Sequence, residues 1–448
     1  MSAAPVPRAR PALVVGLGFA SAALLALQQY LIDRAGELQR GTDPVVHGGI
    51  VLDPAFVRAL PFPVIDPGFG PPPTIHFALL GLALVQSAVL YALYRGLRGR
   101  VPSVLERAGL IAAAIAMLAI ALDARTLLSF DPYAYAGYAK LGLAASYAPP
   151  ATPFAGAFGA VNVVWGAPMP SSLYGPLWIM IDRLVAGDAG TLAGAIVALR
   201  LLEVAAFVAV VFALAGRGAG AAVLALFALN PAVYAMYVAN AHNDLLGVAF
   251  VMIALALAAR APLAAAVCVA LAGLVKLPLA ATALVVFAGR GDVRRRLVWV
   301  GVAALLTVAG SLLLGGGDYV HAMMFRLHDG TTRRGLNVLT ATVLKFGLIV
   351  VAVSALLAAF ARGRVWRSAS WSFIALSSLV YSWYLAWSLP YAALERGALA
   401  AYLVLLPLVA AAMEPAFPHI GLGQLALLVM LVAAASEIVR RKSRPIED

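Results

Sequence analysis

Apolar runs separated by short polar segments repeat along the chain. Most runs approach 20 residues, the length of helix that crosses the hydrocarbon core of a bilayer. Runs of this kind lie at about 12–31, 75–94, 108–128, 190–214, 219–238, 245–260, 298–314, 338–360, 398–413 and 419–438, with one more ahead of Trp383 and two shorter ones, about 262–275 and 278–289, around Lys276. The pattern predicts an all-α polytopic membrane protein with about 12–13 transmembrane helices, in which residues 1–448 form a single integral membrane domain.

Basic residues orient these predicted helices, because Lys and Arg accumulate in cytoplasmic turns. Arg8 and Arg10 precede the first run, which is too long for the core of a signal peptide and is predicted as an uncleaved span. Basic turns at 95–107 and 290–296 also mark the cytoplasmic side. Three longer polar segments then fall outside, where loops with short helices are expected: about 32–73, 129–188 and 315–336.

The segment 129–188 is predicted as the longest non-helical part of the chain, since it is polar and rich in proline. The number of spans is left open. If all 13 runs cross the membrane, the tail with Arg440 and Arg441 lies outside, against the positive-inside rule. The short run 398–413 contains Pro407 and is therefore either a full span or a re-entrant or tilted segment, which gives 12 spans.

Composition excludes several classes of protein. Hydrophobic residues make up 63% of the chain and charged residues 12%, so neither a soluble globule nor a disordered chain fits. The net charge is +12, but the basic residues sit in short turns between apolar runs, which argues against nucleic-acid binding. Cys268 is the single cysteine, which excludes an internal disulfide and a cysteine metal site.

Ionisable residues next to lipid are costly, so by default they indicate a functional site. The predicted orientation places many polar and aromatic residues on the external side, and this combination suits an amphiphilic substrate with a charged head group. They are Asp131, Tyr133, Tyr135, Tyr174, His242, Asn243, Asp244, Lys276, Arg326, His328, Arg333, Arg334, Trp383 and Tyr384.

Each of these residues also has a purely structural interpretation. Asp131 is either a general base or a helix cap ahead of Pro132. The turn from His242 to Asp244 either binds substrate or caps the following helix, and Lys276 either neutralises a phosphate or extends to the interface.

The arginines of segment 315–336 capture phosphate or belong to a solvated loop, with Gly315–Gly317 as a hinge. The aromatic residues stack on sugars or form an interfacial belt.

Five motifs occur in order between about 130 and 391 and together resemble a known family. They are Phe130-Asp-Pro-Tyr-Ala-Tyr-Ala-Gly-Tyr138, Tyr174-Gly-Pro-Leu-Trp178, Asn230-Pro231 followed by His242-Asn-Asp244, Leu274-Val-Lys-Leu-Pro278 and Trp383-Tyr-Leu-Ala-Trp387. The set is similar to the GT-C membrane glycosyltransferases, and among them to the polyprenol-phosphate-mannose-dependent α-1,6-mannosyltransferases of bacterial envelopes. The resemblance implies a GT-C-like helical bundle.

The resemblance also implies residue roles. Asp131 matches the family's proposed base, although Phe130 stands where an arginine is common and Pro132 where an aliphatic residue is usual. Many GT-C enzymes carry the base in the first external loop, so Asp53 and Asp66 remain rivals. The family's other motifs match Tyr174–Trp178, His242–Asp244 and Lys276. Together with the external polar and aromatic residues named above, they give the predicted substrate-binding residues: Tyr133, Tyr135, Tyr174, His242, Asn243, Asp244, Lys276, Arg326, Arg333, Arg334, Trp383 and Tyr384.

The expected function is that of an inverting glycosyltransferase. It would move a hexose, with mannose as the first expectation, from a polyprenyl-phosphate sugar donor to an envelope glycan or glycolipid acceptor. The expected location is the bacterial inner membrane, with membrane lipid around the protein and the active site on the external face. No metal site is evident, and a divalent cation is left open.

The alternative function is that of a transporter or flippase, which would need paired ionisable residues near the middle of the membrane. Only Arg200 and Glu203, three residues apart on one predicted helix, and Lys345 come close to this pattern.

Overall fold

The computed structural model describes residues 11–39, 45–47, 50–52, 60–64, 73–287 and 292–329. The spans predicted beyond residue 329 lie outside the described residues, so the choice between 12 and 13 spans stays a prediction. In chain order the α-helices are α1 (Pro11–Gln39), α2 (Pro73–Leu97), α3 (Val104–Leu122), α4 (Asp131–Leu141), α5 (Leu143–Tyr147), α6 (Gly159–Trp165), α7 (Pro176–Ala186), α8 (Leu192–Gly216), α9 (Ala221–Ala228), α10 (Pro231–Val233), α11 (Asp244–Leu257), α12 (Pro262–Val275), α13 (Ala283–Val286) and α14 (Val293–Asp329).

Within the described part of the chain, α1, α2, α3, α8 and α14 are long and apolar enough to cross a membrane. A bent pair, Ala221–Ala228 and Pro231–Val238, makes a sixth span if it is counted as one. The protein is therefore an all-α polytopic membrane protein, as the apolar runs predicted. A short antiparallel hairpin, β1 (Val45–His47) and β2 (Ile50–Leu52), lies in the first predicted external segment.

The helix ends follow local capping rules. Ser103 and Glu106 form a capping box at the start of α3, and the guanidinium of Arg100 pairs with the same carboxylate. The bent pair breaks at Asn230, whose side-chain oxygen accepts the Ala232 N–H at 3.1 Å. A π-helical turn, Tyr234–Val238, follows this break and leads toward α11.

Segment 129–188 is not non-helical, so that prediction was wrong. It contains α4, α5, α6 and α7, which are 5 to 11 residues long. Prolines occupy the first turns of α4 and α7, where the missing N–H costs nothing. The prolines that suggested an irregular loop therefore start helices, and the expectation of short helices in this segment is met. The predicted span 108–128 also ends early, because α3 stops at Leu122.

The polar segment 315–336 is also more helical than predicted. Helix α14 continues through the glycines to Asp329 and is interrupted at Gly316, whose φ of 62° only glycine adopts without strain. The predicted hinge therefore lies within a long helix rather than in a loop, and the prediction of a loop was wrong for residues 315–329.

Two short helices form the centre of the fold. Helices α11 and α12 have 14 residues each, or about 21 Å, against about 30 Å for a bilayer core. They pack against each other, and α11 also packs against α8 while α12 packs against α14. A short 3-10 helix, Leu277–Thr282, continues from Lys276. Both the start of α11 and the end of α12 consequently lie inside the bundle, among buried residues.

Candidate active site

Three chain segments meet at one end of the bundle: the start of α4, the turn before α11 and the junction after α12. Hydrogen bonds link these segments to each other and to the start of α7. The Leu128 N–H donates to Oδ1 of Asn240, and the Gly175 N–H donates to the Val275 carbonyl at 3.0 Å. The second contact leaves no room for a side chain, since a Cβ on Gly175 would lie 2.0 Å from the Leu274 carbonyl oxygen.

Asp131 and His242 face each other across this junction. Oδ2 of Asp131 lies 3.6 Å from Nδ1 of His242, and their side chains are 19% and 2% exposed. The carboxylate of Asp131 does not cap α4, because Phe130 holds the cap position without a side-chain hydrogen bond. Asp131 is therefore the more accessible member, with His242 behind it.

Lys276 and Asp244 form a buried ion pair, with Nζ 2.8 Å from Oδ1. The ammonium also lies 5.9 Å from the centre of the Tyr174 ring, a distance at which a cation and a ring attract each other. Lys276 is 9% exposed, so its charge is held inside the bundle rather than extended to an interface. Both residues interact electrostatically with Asp131.

Burial and the nearby charge of Lys276 set the protonation states of Asp131 and His242. Burial raises the pKa of Asp131 to about 6, while Lys276 and a hydrogen bond from Tyr174 act in the opposite direction. Burial, reinforced by the charge of Lys276, holds the pKa of His242 well below its usual range. At neutral pH the site therefore combines a carboxylate that titrates close to neutrality with a neutral imidazole.

Aromatic rings form one wall of the junction. Tyr135 makes edge contacts with Tyr174 and Trp178, with ring centres 4.9 and 5.0 Å apart. The Tyr135 hydroxyl approaches Oδ1 of Asn243 at 3.5 Å. Nδ2 of Asn243 is buried and has no hydrogen-bond acceptor among the described residues. A buried donor in this position favours a ligand that brings an oxygen to it.

Tyr133 contacts the first polar segment rather than the wall formed by Tyr135, Tyr174 and Trp178. Its hydroxyl donates to the Phe62 carbonyl at 2.6 Å and accepts the Phe62 N–H at 3.2 Å. Leu127 and Val64 form a parallel bridge beside this contact. The tyrosine thus fastens residues 60–64 of the first polar segment to the start of α4.

The sequence did not predict that Glu203 lies beside the cluster formed by Asp131, His242, Asp244 and Lys276. Arg200 and Glu203 were considered as a pair, yet within the described structure they form no ion pair. Arg200 donates to the carbonyl oxygens of Ala239 and Ala124 at 2.7 and 2.8 Å. Glu203 instead interacts electrostatically with Asp244 and Lys276. The sequence showed that an ionisable residue stands in the middle of an apolar run. It did not show which neighbouring helix the side chain faces.

Several predicted residues are not placed by the structure. Arg326 belongs to α14, but its side chain is outside the described part. The other predicted residues that lie outside the described residues are Asp53, Asp66, His328 as a side chain, Arg333, Arg334, Trp383 and Tyr384. Among the described residues, no group of three or more His, Cys, Asp or Glu side chains is arranged to hold a metal. A divalent cation therefore stays an open prediction.

The bundle of apolar helices, with carboxylates and an ion-paired lysine beside a wall of aromatic rings, fits the class of membrane glycosyltransferases. The chain belongs to the MptA/B family, described as alpha-(1->6)-mannopyranosyltransferase, N-terminal domain, whose model matches residues 15–290. This family is one of glycosyltransferase enzymes, which favours an enzyme over a transporter. No curated protein and no solved structure matches the chain.

Proposed function

We propose that this α-1,6-mannosyltransferase takes mannose from a polyprenyl-phosphate donor and transfers it, with inversion, to a hydroxyl of an envelope glycan or glycolipid. One observation carries the proposal. A partly exposed carboxylate, Asp131, lies in electrostatic contact with the buried Lys276–Asp244 pair. This neighbourhood supports a base and a cation that act on the same small reacting group.

In the proposed step, Asp131 acts as the general base. The acceptor hydroxyl loses its proton to the carboxylate while its oxygen bonds to the anomeric carbon of mannose. The bond from that carbon to the phosphate oxygen breaks at the same time, and the electron pair leaves with the polyprenyl phosphate. A pKa near the working pH suits such a base, and burial brings the pKa of Asp131 to about 6.

Lys276 would stabilise the departing phosphate. A cation held in a dry site is worth far more than one in water, because no solvent has to reorganise. The ammonium is already fixed at 2.8 Å from Asp244, so its position is set before the donor enters. Neutral His242 behind Asp131 would orient the base, and the buried Nδ2 of Asn243 would donate a hydrogen bond to a sugar or phosphate oxygen.

The direction of the helices supports an external site in the bacterial inner membrane. Helix α3 leads from the basic turn after α2 toward Asp131. Helices α11 and α12 meet at Arg260, at the ends opposite to Asp244 and Lys276. Because basic turns accumulate in the cytoplasm, the cluster is expected on the other side, where a lipid-linked sugar can supply the mannose.

Two substitutions test the proposed chemistry in purified protein with a synthetic short-chain polyprenyl-phosphate mannose. Asp131→Asn is expected to lower kcat by about 100- to 10,000-fold, the usual contribution of a general base. Lys276→Met is expected to lower kcat and to raise the donor KM. Asp123→Asn, which changes an exposed carboxylate at the end of α3, is the matched control and should keep wild-type transfer.

Sugar transfer is measured with radiolabelled donor, and the folded fraction of each variant by size exclusion. Undiminished transfer by folded Asp131→Asn would remove this residue as the base and promote Asp53 or Asp66.

A further inference from the structure

Glu203 is a buried carboxyl group that the proposed step does not use. It lies in the fourth turn of α8, is fully buried, and neither of its oxygens has a hydrogen-bond partner among the described residues. The group faces the Leu246 N–H in the first turn of α11 without forming a full hydrogen bond. Such a group is costly in a membrane bundle, so its position calls for a function.

The charged groups around Glu203 belong to α11, the junction after α12 and α4. Helix α11 contributes Asp244, and the junction after α12 contributes Lys276; both interact electrostatically with Glu203. Helix α4 contributes Asp131, which interacts with the same two residues. On α8 itself, Arg200 is engaged with backbone carbonyls and stacks on the Phe62 ring at 4.6 Å, so it does not balance Glu203.

Charge counting then constrains donor binding. Among the described residues the cluster holds three carboxyl groups, Asp131, Asp244 and Glu203, and one ammonium, Lys276. Asp131 has to be ionised to act as a base, and Asp244 is paired with Lys276. If Glu203 were ionised as well, three carboxylates would surround the one ammonium of Lys276, and their repulsion would outweigh its attraction for the phosphodiester of the donor.

We propose that Glu203 is a positioning residue for the Lys276–Asp244 pair, and that donor binding requires a proton on its carboxyl group. In this form two carboxylates instead of three surround Lys276, so the cluster repels the donor phosphate less. The inference rests on the proposed function, since it assumes an anionic lipid-linked donor. It adds that binding of this donor is coupled to uptake of one proton at a residue that does not contact the reacting atoms.

The expected signature is a pH-dependent donor affinity. If only the protonated form of Glu203 admits the donor, the donor KM of the wild-type protein rises about tenfold per pH unit above the transition. Glu203→Gln keeps the shape of the side chain and cannot ionise, so its donor KM should stay low and flat over the same range. If Glu203 had a role in packing alone, Glu203→Gln would leave the pH dependence of the donor KM as it is in the wild-type protein.

Asp182→Asn is the matched control. Asp182 in α7 is also fully buried and has no hydrogen-bond partner for either carboxyl oxygen among the described residues. Burial alone raises the pKa of Asp182 well above its usual range, with no contribution from the charges of the cluster. The same chemical change at this position should leave the slope of the wild-type profile in place.

The experiment measures donor KM and kcat from pH 6 to 9 for the three proteins, with a synthetic polyprenyl-phosphate mannose. A slope present in wild type and Asp182→Asn and absent in Glu203→Gln supports the inference. A flat wild-type profile, or the same slope in Glu203→Gln, overturns it and assigns any slope to another group.

A second measurement needs no variant. Calorimetric titration of the wild-type protein with the donor, in buffers of different ionisation enthalpy, should show uptake of one proton on the alkaline side. Binding without proton uptake overturns the inference and leaves the proposed function intact. Absence of donor binding at every pH overturns the proposed function, and this inference with it.

Discussion

Gly175→Ala tests whether the contact between two backbone segments places the cation of the site. Gly175 lies between Tyr174 and Pro176, the first residue of α7, and an added Cβ would lie 2.0 Å from the Leu274 carbonyl oxygen, where at least 3.0 Å is needed. The two segments would therefore separate by about 1 Å. Leu274 lies two residues before Lys276, so the ammonium and the Tyr174 ring would move apart.

The expected effect follows from the sensitivity of catalysis to geometry. A misplacement of about 1 Å costs on the order of 100-fold in rate, or about 2.7 kcal/mol of transition-state stabilisation. We expect Gly175→Ala to lose this factor in kcat/KM for mannosyl transfer from a synthetic polyprenyl-phosphate donor in lipid nanodiscs. Thermal unfolding of the same sample reports whether the bundle remains intact.

Gly190→Ala is the matched control, because nothing lies within 4 Å of a Cβ at that position. It lies just ahead of α8 and should keep the wild-type rate within about twofold, since an open surface substitution changes little. A folded Gly175→Ala protein with wild-type kcat/KM would refute the reasoning. It would mean that the two segments separate without moving Lys276, or that Lys276 has no part in transfer.

The pKa of Asp131, about 6, leads to two further predictions. First, kcat/KM should fall about tenfold per pH unit below this value, because the protonated carboxyl cannot accept a proton; a pH–rate profile that stays level down to pH 4.5 would contradict it. Second, folding raises the pKa of the Asp131 carboxyl from 3.8 to about 6. The contribution of Asp131 to the free energy of unfolding is therefore complete below about pH 4, where the carboxyl is protonated in both states, and is lost as the pH rises through 6. Asp131→Asn should then raise the free energy of unfolding by up to about 3 kcal/mol at pH 7.5 and by much less at pH 4.5; equal melting curves for variant and wild type at pH 7.5 would contradict this.

The sequence predicted the long helices well, because their signal is the length of an apolar run. Spans α1, α2, α8 and α14 lie where the runs predicted them. Short helices carry no such signal, so the bounds of α4 and α7 were not predicted, although each has a proline in its first turn. Their stability comes from packing on each other and on α8, which a local pattern does not contain.

The candidate site was predicted as a set of residues and not as an arrangement. The motifs indicated Asp131, His242, Asp244 and Lys276 as separate hypotheses, each with a structural alternative. The structure brings them together and shows that Asp131 does not cap its helix and that Lys276 is buried. Such contacts depend on which way each helix turns its polar residue, as Glu203 illustrates: in the described structure it interacts with Asp244 and Lys276 and forms no ion pair with Arg200.

The shortness of α11 and α12 explains how a polar site can exist in this bundle. Each spans about 21 Å, so about 9 Å of a bilayer core of about 30 Å is left to other groups. The space at the start of α11 and the end of α12 is taken by His242, Asp244 and Lys276, which are buried in protein rather than exposed to lipid. Irregular backbone is tolerated at such depth only where protein or a cavity surrounds it. On the proposed function, a donor whose lipid tail stays between helices presents its phosphate to Lys276 without leaving the membrane.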